Sequence, residues 1–189
     1  MSDLKTHPTL PPDAPNLYLI GFMGTGKSIV GQRVAELLKI PFLDSDQWIE
    51  DNTGLSIPEI FARHGEPHFR ELEYRFVMEE QPRCRTVISC GGGLVTNVEL
   101  REKLKQEGVV VVLYASVETL LQRISGDSNR PLMKTDDPEK RIRELLAERE
   151  PVYRDAGVGI MIDGHTVAQV AEHVIRIYLD KLSLDRSHT

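Results

Sequence analysis

Eight consecutive residues constrain this chain more than anything else in it: Gly21-Phe22-Met23-Gly24-Thr25-Gly26-Lys27-Ser28. Before them stands the apolar run Leu17-Tyr18-Leu19-Ile20. After them Val30, Val34, Leu37 and Leu38 recur at helical spacing within Ser28 to Lys39. A glycine-spaced turn between a strand and a helix, closed by Lys-Ser, fits G-x-x-x-x-G-K-[ST] in the context that gives the pattern a mechanism. Glycines admit backbone conformations whose successive N–H groups point inward and make a nest for phosphate oxygens. The helix that follows turns the positive end of its dipole toward the same anion. Gly24, Thr25 and Gly26 line the nest, Lys27 brings a point charge to the outer phosphates, and the Ser28 hydroxyl can ligate Mg²⁺. These residues predict a nucleoside triphosphate and magnesium. They do not choose among NTPases, GTP switches and small-molecule kinases.

The rest of the chain predicts the sheet in which such a loop sits. β-type runs recur at Leu17–Ile20, Phe42–Leu43, Thr86–Ser89, Val109–Tyr114 and Ile160–Ile162. Their apolar character is continuous and not alternating, as strands buried on both faces require. Helical patterns lie between them: one opened by Ser56-Ile57-Pro58-Glu59 and running to about Arg63, then Pro67–Glu80, Pro138–Arg149 and Thr166–Leu182. The alternation predicts an α/β fold of three layers, a five-stranded parallel sheet flanked by helices. The 189 residues suit one domain, placed at 16–183. A loose N-terminal tail over 1–15, with four prolines, and a short C-terminal tail over 184–189 are expected outside it.

Composition narrows the partners. A formal net charge of −6 argues against a broad nucleic-acid footprint. Two cysteines, Cys84 and Cys90, can build neither a disulfide framework nor a structural zinc site. The longest apolar run, Val109 to Ala115, has seven residues and is too short to span a bilayer. No N-terminal stretch joins positive charge to an apolar run, so no signal peptide is read. A cytoplasmic monomer with no nucleic-acid or membrane partner is the expectation.

The second strand ends in Asp44-Ser45-Asp46, at the sheet edge where ligands bind in open α/β folds. Carboxylates two residues apart on an extended segment face the same way. One could hold a water on magnesium while the other accepts a proton from an attacking hydroxyl. The plainer reading makes Asp46 the N-cap of a helix beginning at Gln47.

Beyond the glycine loop, the chain resembles the shikimate kinases. The resemblance rests on Leu43-Asp44-Ser45-Asp46-Gln47-Trp48-Ile49-Glu50, on Gly54 to Phe61, and on Gly65-Glu66-Pro67-His68-Phe69-Arg70-Glu71-Leu72-Glu73. It continues through Gly91-Gly92-Gly93, Arg130-Pro131-Leu132 and Arg149-Glu150-Pro151-Val152-Tyr153, in family order between about Leu17 and Tyr178. It implies transfer of phosphoryl from ATP to the 3-hydroxyl of shikimate, a step of chorismate and aromatic amino-acid biosynthesis. It implies that Asp46 orients or deprotonates that hydroxyl, and that Ser28 and Asp44 serve magnesium. Arg70 and Arg149 would clamp the substrate carboxylate, a task suited to a planar, permanently charged fork. Glu73, one turn beyond Arg70, would orient its guanidinium. Gly92 would touch the acceptor, with Phe61 and Phe69 as apolar walls.

The same resemblance implies a lid at about 125–137, with Gly126 as a hinge. The lid would bring Arg130 onto the transferring phosphoryl and exclude water. Arg123 would stack on adenine. Two departures stand out. Ile29 occupies a position where the family usually has a hydroxyl residue, and Asp163-Gly164-His165-Thr166 replaces a proline-containing stretch near adenine. Lower nucleotide affinity is expected from Ile29. A gluconate kinase on the same fold and a nucleotide-binding regulator without turnover are the competing readings.

Overall fold

A computed structural model describes residues 9–124 and 137–186. Five strands make one parallel sheet: β1 (Asn16–Gly21), β2 (Phe42–Asp44), β3 (Val87–Ser89), β4 (Gly108–Tyr114) and β5 (Val158–Met161). Their order across the sheet is β2-β3-β1-β4-β5. The chain builds β2 and β3 on one side of β1, then crosses to add β4 and β5 on the other. Winding therefore reverses at β1, where the crevice of such a sheet opens beyond the carboxyl ends.

Alternate residues of the central strands serve opposite layers. Leu17, Leu19 and Val111 face α1 (Lys27–Leu38) and α7 (Val167–Arg186) in one core, which includes Val34 and Val174. Tyr18, Ile20, Val110 and Val112 face the other core, filled from α4 (Val98–Glu107), α5 (Val117–Ile124) and α6 (Pro138–Ala156). Both faces are covered, which is why β4 reads as an unbroken apolar run. The three layers predicted from the sequence are present, with every strand edge within two residues of its expected place.

A third, smaller cluster of Ile49, Ile60 and Phe69 joins α2 (Ser45–Thr53) to α3 (Ile57–Arg75). The two helices expected around Gly65 form one kinked element. Its backbone breaks at Gly65, with φ 81° and ψ 172°, and then resumes through Pro67. The element passes into a π-helical turn over Phe76–Glu80. Helix α6 runs past the expected end at Arg149 to Ala156. Ile142, Leu145, Arg149, Tyr153 and Ala156 keep one buried face at helical spacing.

The ends differ from the sequence expectation. Leu10 and Ala14 are buried, Arg85 donates its backbone N–H to the Ala14 carbonyl at 2.8 Å, and the Tyr178 hydroxyl donates to Pro15 at 2.6 Å. The segment 9–15 is therefore packed, not loose, because its apolar side chains find a place in the core despite the prolines. At the other end α7 continues to Arg186, beyond the expected start of a tail at 184. Asp137, placed in the expected lid, caps α6 by accepting from Lys140 N at 3.0 Å. The remainder of that lid, 125–136, lies outside the described residues, and with it Gly126 and Arg130. Among the described residues no helix is long and apolar enough to cross a membrane.

Candidate active site

Segments that follow β1, β2 and β3 line one cavity of about 1370 Å³, together with Arg123, Arg149 and Val167. On the β1 side, Gly24 and Gly26 hold φ of 82° and 83°, left-handed values that a side chain would oppose. The Thr25 hydroxyl donates to Phe22 O at 2.8 Å and closes the turn. Lys27 Nζ lies in its hollow, 3.0 Å from Gly21 O and 3.2 Å from Phe22 O. Because α1 starts at Lys27, its first N–H groups face the same hollow without a side-chain cap. Arg123, in the last turn of α5, donates from Nη1 to Gly24 O at 3.2 Å.

Ser28 links this loop to the next one. Its hydroxyl donates to Asp44 Oδ2 at 2.6 Å and lies 3.4 Å from Ser89 Oγ. The other oxygen of Asp44 accepts from Asp46 N at 3.0 Å and Gln47 N at 3.4 Å. Asp44, not Asp46, is thus the N-cap of α2. The helix begins directly after the strand, so the two carboxylates do not lie side by side on extended backbone. Asp46 sits in the first helical turn, still on the cavity.

Asp46 Oδ1 and Glu73 Oε1 are buried and have no hydrogen-bond partner. Both face Gly91: a Cβ there would lie 2.8 Å from each oxygen. Burial, reinforced by the charge of Asp44 and opposed by Lys27, pushes the Asp46 carboxyl up to about 6. Burial also raises Glu73, against the pull of Arg70. Buried polar atoms without partners are uncommon in folded proteins, and a site built to receive a ligand is one place they occur.

Arg70 is held from two sides. Its Nη1 donates to Glu73 at 2.6 Å, while Nε and Nη2 donate to Glu66 Oε1 at 3.2 and 2.8 Å. Burial alone would lower its pKa, but Glu73 and Glu66 hold it above the usual value. The guanidinium lies where a Cβ on Gly93 would be, 2.7 Å from both Nη atoms. Arg149 is buried in α6. Its Nη1 donates to Gly92 O at 3.3 Å, and its guanidinium lies 5.6 Å from the Phe22 ring centroid. The triple glycine therefore makes room first for the protein's own carboxylates and guanidinium. Phe61 and Phe69, with ring centroids 5.0 Å apart, line the same cavity, and Phe69 doubles as core.

The structure brings together Gly24, Gly26, Lys27 and Ser28 with Asp44, Asp46, Phe61, Phe69, Arg70, Glu73, Gly92, Arg123 and Arg149 around this cavity, whereas Thr25, expected in the nest, is buried beneath the turn and does not line it. Arg130 alone of the expected site residues lies outside the described residues. Sequence reasoning passed over Glu66, Ser89 and Ser45, whose hydroxyl accepts from Gly91 N at 3.0 Å. Glu66 carried a signal, since it precedes Arg70 by one helical turn. Ser45 carried none, because its partner lies 46 residues away.

Known proteins share this arrangement's sequence. The family model described as shikimate kinase matches residues 23–178. The chain belongs to the shikimate kinase family. A shikimate kinase of Caldanaerobacter subterraneus subsp. tengcongensis is 46% identical over 164 residues, 87% of this chain and 96% of the relative. One from Thermodesulfovibrio yellowstonii is 44% identical over 163 residues, 86% of this chain and 94% of the relative. Among solved structures, a shikimate kinase from Acinetobacter baumannii in complex with shikimate superposes with a TM-score of 0.85. It is 43% identical, with coverage of 89% of this chain and 94% of that one.

One segment of this shikimate kinase family member departs from the expected pattern for a structural reason. Asp163 accepts from Ser116 N and Ser116 Oγ, each at 2.9 Å, and from the Thr119 hydroxyl. Burial opposes the charge, yet these bonds hold the carboxyl below its usual range. Asp163 thereby braces the N-terminal turn of α5, the helix that carries Arg123.

Proposed function

We infer that this chain is an ATP-dependent shikimate kinase that converts shikimate to 3-phosphoshikimate and ADP in aromatic amino-acid biosynthesis. One observation carries the reading: a buried carboxylate with an unpartnered oxygen, Asp46, opens onto the cavity shared by the lysine-bearing phosphate nest and two arginines.

In this reading the loop residues Gly24 to Ser28 hold the phosphates, and Arg123 packs on the adenine. Ser28 Oγ and Asp44 Oδ2 offer a pair of oxygen donors, which suits magnesium. Among the described residues no three His, Cys, Asp or Glu side chains are placed to hold a metal by themselves. Such an ion would take its other ligands from phosphate and water, and it would supply neutralising charge. On the acceptor side, Arg70 and Arg149 take the substrate carboxylate while Phe61 and Phe69 bound the ring. Glu73 keeps Arg70 in place, and Gly92 borders the ring. Asp46 accepts the proton of the attacking hydroxyl as its oxygen bonds to phosphorus, and the phosphorus–oxygen bond to ADP breaks. Lys27 spreads the developing charge, and the family resemblance gives Arg130 the same task. Catalysis is then mainly positioning and electrostatics. In this reading one chain's cavity of about 1370 Å³ serves both substrates, so a monomer suffices, and the enzyme works in the cytoplasm.

An ADP-release assay with shikimate, with gluconate and with no acceptor tests the reading. Release that depends on shikimate alone is expected. Release with gluconate, or none with ATP still bound, would overturn it.

A further inference from the structure

Helix α6 presents two side chains to the same carbonyl. Arg149 Nη1 donates to Gly92 O at 3.3 Å, and the hydroxyl of Tyr153, one helical turn later, donates to it at 2.6 Å. The Tyr153 bond is the shorter, and its ring is only 1% exposed. The ring packs in the core that holds Phe22, Leu94 and Val95, with Tyr114 edge-on at 6.5 Å. A phenol so placed can only donate where the surrounding core points it. Burial pushes its pKa up, so it keeps its proton.

The carbonyl it grips belongs to the most permissive stretch of backbone in the cavity wall. Gly91, Gly92 and Gly93 have no side chains to fix their peptide planes, and glycine has the largest conformational freedom of any residue. The room at 91 and 93 is needed by Asp46, Glu73 and Arg70. Rigidity must then come from outside the loop. Its end anchors are Gly91 N to Ser45 Oγ on one side, and Leu94 N to Gly91 O with Thr96 N and Oγ1 to Gly93 O on the other. At its middle the hold is Gly92 O, whose two acceptor sites are taken by Arg149 and Tyr153.

We propose that Tyr153 is a positioning residue for the acceptor site. Its hydroxyl locks the Gly92 carbonyl, and through it both the glycine wall and the direction of the Arg149 fork. The proposal rests on Arg149 and Gly92 belonging to the acceptor side. Tyr153 touches neither substrate. Loss of its hydroxyl leaves one long hydrogen bond on the Gly92 carbonyl, at the middle of the wall, and frees Arg149 to follow it.

The test compares Tyr153→Phe, Arg149→Ala, the double variant and Tyr114→Phe, each assayed for KM of shikimate, KM of ATP and kcat, with Tm measured in parallel. Phe keeps the buried ring, so the fold survives and the ATP KM on the same sample reports it. Tyr153→Phe should raise the shikimate KM about five- to thirtyfold, with ATP KM and kcat within about twofold. The double variant should be less than additive, because both side chains act on one carbonyl. Tyr114→Phe should behave like the parent. An unchanged shikimate KM in Tyr153→Phe, beside a raised one in Arg149→Ala, would overturn the positioning role alone. Equal rises in both KM values with a lowered Tm would also overturn it, by making the hydroxyl merely structural. If Arg149→Ala left shikimate KM unchanged, the acceptor reading itself would fall.

Discussion

The two halves of the cavity are built in opposite ways. The side read as the nucleotide's is mostly backbone, centred on residues 21–28 with Arg123 and Asp44 bonded to it, and its polar groups answer one another: Lys27 to Gly21 O and Phe22 O, Thr25 to Phe22 O, Ser28 to Asp44, Arg123 to Gly24 O. The acceptor side is mostly side chain, gathered from α2, α3 and α6 around a loop without Cβ atoms. It holds two orphaned carboxylate oxygens, Asp46 Oδ1 and Glu73 Oε1. A nest of N–H groups is a general receptor for phosphate and can be complete before the ligand comes. A receptor for one carboxylated, hydroxylated ring needs opposed charges in one small space; here Arg70 is paired with Glu66 and Glu73, while one oxygen each of Asp46 and Glu73 has no partner. Specificity is purchased on the acceptor side with local instability.

Asp46→Asn strikes that difference hardest. If Asp46 takes the proton, the amide should cut kcat by about 10²- to 10⁴-fold while ATP affinity stays within about twofold. Steady-state rates beside equilibrium nucleotide binding check it. A kcat within about twofold of the parent would remove the proton-accepting role and make the acceptor half a passive binding surface.

The same carboxyl sets the next effect. If Asp46 accepts the proton, transfer needs it ionised, and burial raises its pKa to about 6. A profile of kcat/KM for shikimate should therefore be level above that value. It should fall about tenfold per pH unit below it. A limb near the ordinary carboxyl value of about 4 would mean that the site stabilises the charge and is not strained by it.

How much of this was legible follows from how it is built. The phosphate loop could be read from eight adjacent residues, because glycines, Lys27 and Ser28 act on one another locally. The layers could be read too, because burial on both faces leaves an unbroken apolar run such as Val109–Leu113. The acceptor roles proposed for Arg70 and Arg149 could be named only through a family resemblance, since nothing in their local sequence separates them from surface helix arginines. Hydrogen bonds between residues far apart in the chain escaped, whereas the Arg70–Glu73 pair, one helical turn apart, did not. The capping role fell to Asp44 and not Asp46 because α2 starts at Ser45, two residues earlier than expected. The hydroxyl of Tyr153 meets Gly92 across 61 residues.

A smaller effect, on stability, sharpens the claim of strain. The folded state raises the pKa of Asp46 above its unfolded value, so between about pH 4 and 6 the folded chain binds more protons than the unfolded one. Stability linked to Asp46 is thus present at low pH and lost as pH rises through about 6. Asn at 46 has no charge to bury, and its amide can donate toward the orphaned Glu73 oxygen. Asp46→Asn without magnesium should be more stable than the parent at pH 8 by on the order of 1–2 kcal/mol, with the gap closing toward pH 4. Thermal or urea melts at both pH values measure it. A less stable variant at pH 8 would mean that Asp46 contributes to the fold.

The smallest effect belongs to the quiet half. Ile29, third residue of α1, is 57% exposed and lines the cavity beside Gly26. An apolar side chain there gives the phosphates nothing, yet it stands in the turn whose N–H groups and dipole face them. Thr has the same branching at Cβ, so helix and rotamer preferences change little. What it adds is one hydroxyl in reach of an anion, worth about 0.5–1.5 kcal/mol. Ile29→Thr should lower the ATP KM about two- to tenfold and leave the shikimate KM where it was. If ATP binds no better, or worse, Ile29 is packing against an apolar part of the nucleotide. The phosphate nest would then not be the whole of the donor half, and the contrast between a backbone receptor and a side-chain receptor would narrow.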